Sequence, residues 1–312
     1  MDVVGVQLFE ANRDRLASLA YRLLGSAADA EDMVQEAFLR WQSAERQHIG
    51  TPEAWLTKVV TNLSIDRLRS ARMRHERAVG DWLPEPLLDG DPMLGPAETI
   101  AQRESVTLAV LMLMERLSPV ERAVYVLREA FAYRHLEIAE ILDITESASQ
   151  QHAHRARQHV AAEHNSGEVD RASAHRVVAA FVDAAASGRT ERLVALLTDE
   201  ATGITDGAGI SRKPIRFSGP KRIATVLRAG FKPTAAKRRL VGGFPAIHAG
   251  VVNGSPAIVA VLDERVVGVV VLGVLRDHRV ATVFGVANSA RLSRLTKEWR
   301  RREHNAPLIE SW

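Results

Sequence analysis

DAEDMVQEAFLRW, residues 29–41, is the stretch from which the fold is read. Ala30, Met33, Val34, Ala37, Phe38 and Trp41 recur at helical spacing. Asp29 is placed to cap the helix, and Glu31 and Asp32 sit in its first turn, where the helix dipole favours anions. The other face carries Asp32, Gln35, Glu36 and Arg40. Two readings of that face stand: a solvated side of an ordinary amphipathic helix, or a docking surface for a basic partner helix.

Upstream, Phe9, Leu16, Leu19, Ala20, Leu23 and Leu24 form an apolar stripe that Gly25 ends. Downstream, Ser43 to Pro52 is a polar break, and a further helix opens at Pro52, where a missing N–H costs nothing. Trp55, Leu56, Val59, Val60 and Leu63 turn inward on that helix. Asn62, Asp66, Arg69 and Arg72 share an outer face. Its second half is arginine-dense (Arg67, Arg69, Arg72, Arg74, Arg77), and Lys58, Thr61 and Asn62 offer donors beside Trp55. Donors, an aromatic and a basic run suit DNA phosphates and unstacked bases; a solvated charged helix end has the same composition.

A chain of 312 residues holds roughly two or three domains, and an apolar fraction of 46% supplies real cores. With no cysteines, disulfides, thiolate metal sites and cysteine nucleophiles are excluded, in keeping with a reducing compartment. No basic lead precedes a long apolar run, so no signal peptide is expected. Val266 to Leu275 is β-branched and broken by glycine, which reads as strand and not as a membrane span. The net charge of +3 is uneven, with arginine clusters at 67–77 and 291–302 that suggest an anionic partner.

AYRLLGSAADAEDMVQEAFLRW followed by PEAWLTKVVTNLSIDRLRSARMR resembles the first domain of the extracytoplasmic-function sigma factors of bacterial RNA polymerase. The resemblance implies that Asp32, Gln35 and Glu36, with Phe38 and Leu39, meet the beta-prime clamp helices of the polymerase core. It implies that Trp55, Lys58, Asn62, Arg69, Arg72 and Arg74 read and melt the minus-ten element. It also makes Ser43 to Gly50 the loop that captures a flipped base.

Residues 80–96 read GDWLPEPLLDGDPMLGP, and Pro84, Pro86, Pro92 and Pro96 forbid regular structure. Trp82, Leu83, Leu87 and Leu88 are too apolar for a floating spacer and are expected to dock. Trp82-Leu83-Pro84-Glu85-Pro86 is similar to a linker motif of a sigma subgroup that carries an extra C-terminal domain.

Residues 98–164 are again helical in pattern. Val106, Val110, Leu113 and Leu117 make a stripe, and Ser118-Pro-Val-Glu121 reads as a capping box. His135 to Leu142, a turn at Asp143 to Thr145, and Glu146 to about Val160 form a helix-turn-helix pattern, an outline that generic helical hairpins share. Ser149, Gln150, His152, His154, Arg155 and Arg157 are expected to point outward. With LSPVERAVYVL and EAFAYRHLEIAEIL before it, the segment resembles the second sigma domain. That implies minus-thirty-five contacts from Ser149, Gln150, His152, His154 and Arg155, and a second docking point on the polymerase beta flap. His152, His154, His159 and His164 lack the spacing of a zinc helix, so no metal site is expected.

After a short hinge at 166–170 the pattern changes. Ala174 to Gly188 and Arg192 to Leu197 read as helices. Thr202 to Asp206, Ala257 to Asp263, Val266 to Leu275 and Val280 to Val286 read as strands, with a turn at Asn253-Gly254. Two helices and a curved antiparallel sheet make an α+β cone. TDGAGISRKPIRFSGPKRIA, VVNGSPAIVAVL and VFGVANSARLSRL resemble SnoaL-like (NTF2-like, cystatin-like) domains. Asp183, Asp206, His248, Asp263 and His278 are the polar groups available for acid–base work, but no pair stands out. In the subgroup, an Asp-Gly-Gly-Gly-Lys loop and a terminal Asn-Pro-Asp-Lys-Leu act in regulation. Here Asp206-Gly207-Ala208-Gly209 and Asn288-Ser-Ala-Arg-Leu292 stand in their places.

The expectation is a multidomain chain of two all-α sigma domains, the second a helix-turn-helix, followed by an α+β SnoaL-like cone. The boundaries read 1–79, a linker at 80–97, 98–165, 170–292 and a basic helical tail at 293–312, solvated by default. The expected function is promoter-specific transcription initiation with RNA polymerase core and promoter DNA as partners, tuned in cis by the cone. No reaction of its own, no cofactor and no membrane are expected, and a cytoplasmic, nucleoid-associated location follows. A small ligand in the cone is a further candidate partner. The rival is a small-molecule-binding or isomerase-like cone enzyme carrying a DNA-binding leader.

Overall fold

The computed structural model describes residues 3–73, 83–95, 99–161, 171–209, 214–275 and 277–312. It forms two compact units: Met1–Glu85 with Gly90–His164, and Pro86–Asp89 with Asn165–Trp312. The two helical segments, expected as separate domains, therefore share one unit.

In the helical unit, α1 (Val3–Leu24), α2 (Ala27–Ser43) and α3 (Pro52–Met73) pack as a trio. Leu16, Leu19, Leu23, Val34, Leu56 and Val60 fill its interior. Gly25 takes the left-handed conformation (φ +63°) that ends α1, as glycine does without steric cost. The cap of α2 is Ser26, not Asp29: its hydroxyl accepts from the Asp29 N–H at 3.2 Å. Asp29 lies buried inside the first turn and pairs with Arg67 at 2.6 Å.

The rest of the unit comprises α4 (Ile100–Glu104), α5 (Leu108–Met114), α6 (Pro119–Tyr125), α7 (His135–Leu142) and α8 (Glu146–Ala161). The stripe from Val106 to Leu117 is not one helix, because the Thr107 side chain caps a fresh start at Leu108. Both bonds of the Ser118–Glu121 capping box are present, with Pro119 at the first position of α6. Five residues of π-helix, Val126–Ala130, continue α6. Asp143, left-handed at φ +54°, closes α7.

The second unit is built on a six-stranded sheet in the order β2-β1-β6-β5-β4-β3. Its strands are β1 (Leu197–Thr205), β2 (Ile215–Ser218), β3 (Ala246–Val252), β4 (Ser255–Leu262), β5 (Arg265–Val274) and β6 (Val280–Val286). The sheet is mixed, not antiparallel throughout, because β1 runs parallel to β6 with Ile204 opposite Phe284. Helices α9 (Arg171–Ala186), α10 (Thr190–Leu196) and α11 (Pro220–Phe231) cover one face through Phe181, Leu193, Ile223 and Leu227. Asn253 (φ +50°) and Gly254 (φ +70°) make the two-residue turn joining β3 to β4.

Sequence reading missed β2, β3, α11 and α12 (Ala235–Val241). It also placed residues 293–312 outside the cone as a solvated tail. Helix α13 (Ser293–Arg300) instead buries Leu295 and Trp299, and Ile309 forms a bridge with Ile247 on the edge strand β3. Its hydrophobic spacing is that of a docked amphipathic helix, with the arginines left outside.

Candidate functional site

The exposed side of α2 presents Asp32, Gln35 and Leu39. Leu39 is 52% exposed, beside the Glu36 carboxylate, which holds Arg40 at 2.9 Å. Phe38 is half-buried, its ring 4.8 Å from that of Phe9. The opposite face, with Ala30, Val34, Ala37 and Trp41, is buried. One helix thus carries a complete core face and a mixed acidic–apolar outer face.

The start of α2 is held by the linker motif. The Glu85 carboxylate accepts from the Ala27 N–H at 2.7 Å, its N–H donates to Gly25 O, and its carbonyl accepts from the Tyr21 hydroxyl. A carboxylate at a helix N-terminus satisfies an orphan donor and complements the dipole. Leu83 is fully buried and Pro84 is buried; Trp82 lies outside the described residues. Pro86 to Asp89 belong to the other unit. There Leu87 exchanges hydrogen bonds with Asn253, donating to its side-chain oxygen at 2.8 Å and accepting from its N–H at 2.9 Å. Nothing local in the sequence marks Asn253 as more than a turn residue.

On α3, Trp55 is half-buried, with its ring centroid 5.6 Å from that of Trp41. Asn62 is half-buried and Arg69 exposed, 3.7 Å from Asp66. Thr61, expected as an outward donor, is fully buried because it falls on the inner side of the helix with Val60 and Ser64. Lys58 donates to the Asp143 carboxylate at 2.6 Å and to Glu140 O at 3.0 Å. It is therefore engaged by the turn of the helix-turn-helix. The Arg72 side chain and Arg74 lie outside the description.

On α8, Gln150, His154 and Arg155 are exposed and His152 is half-buried. Ser149 does not face outward: it is fully buried and shares a hydrogen bond of 2.9 Å with His135 Nδ1. It stands where α7 and α8 cross, at a position set by packing. The His135 pKa is pushed down, first by burial and then by Arg128 and Arg157. Glu121 is held below its ordinary range: burial opposes this, but the Ser118 donors, His152 and Arg155 outweigh it. Gln151, one i,i+4 step before Arg155, is also exposed and was passed over in the sequence.

A buried cation links the trio to the helices that follow. Arg22 is fully buried; it donates to the Ser105 hydroxyl at 3.0 Å, to Gln102 O at 3.3 Å and to the Ser18 hydroxyl. Its guanidinium carbon is 5.5 Å from the Phe131 ring centroid, and burial lowers its pKa to about 10.

In the cone, Asp206 is buried, and its carboxylate accepts from the N–H groups of Ala208, Ala287 and Asn288 at 2.9–3.2 Å. The Asp206-Gly207 loop and the Asn288 segment, read separately in the sequence, meet at this carboxylate. Gly207 is half-buried; the setting of Gly209 is not described. Asp183 pairs with Arg192 on the surface, Asp263 sits in a turn, and His248 Nδ1 lies 3.2 Å from Asn305 O beside Trp299. His278, at φ +64°, borders a cavity of about 250 Å³ together with Arg176. These groups lie apart, and no acid–base pair forms among them. Among the described residues no cluster of metal-ligating side chains occurs, and no helix is long and apolar enough to cross a membrane.

Residues 8–74 match the family described as Sigma-70 region 2, and residues 107–160 match Sigma-70, region 4. The chain is 42% identical over 213 residues to the ECF RNA polymerase sigma factor SigJ of Mycobacterium tuberculosis, covering 68% of each protein. It is 33% identical to the probable ECF RNA polymerase sigma factor SigI of the same organism, over 85% of this chain and 87% of that one. The crystal structure of M. tuberculosis SigJ aligns with a TM-score of 0.67 at 32% identity, covering 92% of this chain and 98% of the other.

Proposed function

The chain belongs to the extracytoplasmic-function RNA polymerase sigma factors, and from that premise we propose how its surfaces divide the work of promoter-specific initiation. The ridge of Asp32, Gln35, Glu36 and Leu39, with Phe38 behind it, takes the beta-prime clamp helices of the polymerase core. Trp55, Lys58, Asn62 and Arg69, continued by Arg72 and Arg74, engage the minus-ten element. Gln150, Gln151, His154 and Arg155 face the minus-thirty-five groove, where glutamine pairs with adenine edges and arginine with guanine or phosphate. The beta flap is the second contact of the helix-turn-helix region. This work is done where the polymerase is, in the cytoplasm.

The observation that carries the reading is the outer face of α2. An exposed leucine among carboxylates on a helix whose other face is fully used has no role in the fold itself. It fits a partner that is basic and in part apolar.

The two promoter elements lie about 25 base pairs apart by their names, or about 85 Å of duplex at ~3.4 Å per pair. Lys58 and Asp143 are 2.6 Å apart. The α3–helix-turn-helix contact therefore opens before both surfaces reach the promoter. The cone, with Pro86 to Asp89 and the Asp206 loop, acts in cis on that step. No reaction of its own is proposed for it.

Run-off transcription with core polymerase tests the assignment. Wild type directs a specific transcript. The Asp32→Lys, Glu36→Lys double variant, folded by circular dichroism, loses core affinity by tenfold or more through charge reversal. Unchanged affinity rejects the ridge as the core contact.

A further inference from the structure

The helix-covered face of the cone sheet has a gap in its packing. Its cross-strand neighbours can be followed row by row. In one row Ile247 is opposite Ala260, which is opposite Gly268. In the next, Ile258, Val270, Gly285 and Thr205 lie side by side. Ala260, Gly268 and Gly285 offer almost no side chain where the covering helices bridge the sheet. A cavity of about 290 Å³ results, near the lower end of the range of about 300–1,000 Å³ that small-molecule sites occupy. Phe217, Phe231, Ile258, Val270 and Val283 are among its walls. No charged side chain among the described residues lines it; its side-chain polar groups are the Thr205 hydroxyl, which accepts from the Gly207 N–H at 3.3 Å, and the Trp312 indole N–H.

One wall is brought by the segment after α13. Ile247 donates to Ile309 O at 2.8 Å and accepts from the Leu308 N–H at 2.7 Å. That pairing carries Trp312 across to α11. There its indole N–H donates to Phe231 O at 2.7 Å and its backbone N–H to Pro245 O at 3.0 Å. The Lys237 ammonium lies 5.8 Å from the indole centroid, and its bonds to Gly230 O and Lys232 O hold it there.

We propose that this cavity is a binding site for one neutral, predominantly apolar small molecule, with Trp312 as its closing wall. An ion entering would give up hydration without a counter-charge, and a polar ligand would find a single side-chain hydroxyl, Thr205, in an otherwise apolar lining. An apolar ligand restores the dispersion contacts that the small residues leave unmade. The inference goes beyond initiation and does not depend on it, since binding is read on the free chain.

The test is a fluorescence titration of the full chain with the neutral fluorophore N-phenylnaphthylamine and with its anionic sulfonate. The expected result is saturable binding of one neutral probe per chain, with the sulfonate at least tenfold weaker. Ala260→Leu, which grows into the cavity, lowers affinity tenfold or more without lowering the thermal midpoint. Trp312→Ala speeds probe dissociation several-fold. If Ala260→Leu fails to fold, Trp312→Ala alone decides. Non-saturable uptake, equal affinity for the sulfonate, or binding indifferent to the folded variants overturns the proposal. Run-off transcription by the same preparation reports separately on the sigma function.

Discussion

The trio α1–α3 and the contact between that trio and the helix-turn-helix are made of different materials. Inside the trio, Leu16, Leu19, Leu23, Leu56 and Val60 are at most 1% exposed. At the seam, Lys58 meets Asp143 with side chains 39% and 73% exposed. Arg15 donates to Thr57 at 3.0 Å and to the Tyr133 hydroxyl, and sits 5.5 Å from the Phe131 ring centroid. Apolar burial has no comparable substitute in water, whereas exposed ion pairs exchange for hydration at little cost. The proposed opening therefore falls at the seam, with the trio left intact. Arg22 lies between the extremes: a polar link, but a buried one.

The largest effect separating these regions is expected from Leu23→Ala in the trio. It should cost about 2–5 kcal/mol in urea unfolding, the usual range for a buried leucine truncated to a cavity. A loss under 1 kcal/mol would mean that the trio is as soft as the seam. Arg22→Met, similar in length but without donors, removes the bonds to the Ser105 hydroxyl, Gln102 O and the Ser18 hydroxyl. A cost of about 1–3 kcal/mol is expected, measured the same way. Lys58→Met removes an exposed pair and should change stability by less than about 1 kcal/mol. Its signature is geometric: energy transfer between labels on α3 and α8 should fall as the open form gains population. Unchanged transfer would mean that Lys58 does not hold the seam closed.

The smallest expected effect is the pH response of the helix-turn-helix. The folded pKa of His135 lies below its unfolded value of about 6.5, so the unfolded chain takes up the proton first. Stability present above pH 6.5 is then lost as the pH falls toward the folded value. Beside Arg128 and Arg157, which disfavour the imidazolium, Glu129 and Glu146 oppose the shift weakly. The difference in thermal midpoint between pH 7.5 and 5.5 should shrink in His135→Gln. An unaltered difference would assign the acid sensitivity elsewhere.

Much of this was legible before any coordinates. Local chemistry wrote the α7 and α8 boundaries, the Ser118–Glu121 box and the Asn253-Gly254 turn, because caps and tight turns are satisfied within a few residues. Strand β2 was not legible: Ile215 to Ser218 is short and mostly exposed, so no alternation marks it. Strand β3 carries glycine and histidine and is only half-buried at most positions. On α8, the helical spacing of Ala153, Ala156 and Val160 agrees with their burial. It could not show that Ser149 would be turned toward His135, because a short polar residue at the edge of a face follows its neighbour and not its own hydropathy.

The sequence by itself determined most of the helices, four of the six strands, the family and the residue types proposed to meet polymerase and DNA, since periodicity and capping are encoded in neighbours along the chain. Only the tertiary structure decided who meets whom. It set Lys58 against Asp143, Glu85 on the start of α2, Leu87 on Asn253 and the Asp206 carboxylate on the Asn288 segment. Each of those pairs joins residues dozens of positions apart. Their choice of partner is fixed by the competition among all buried surfaces at once, which no local pattern contains.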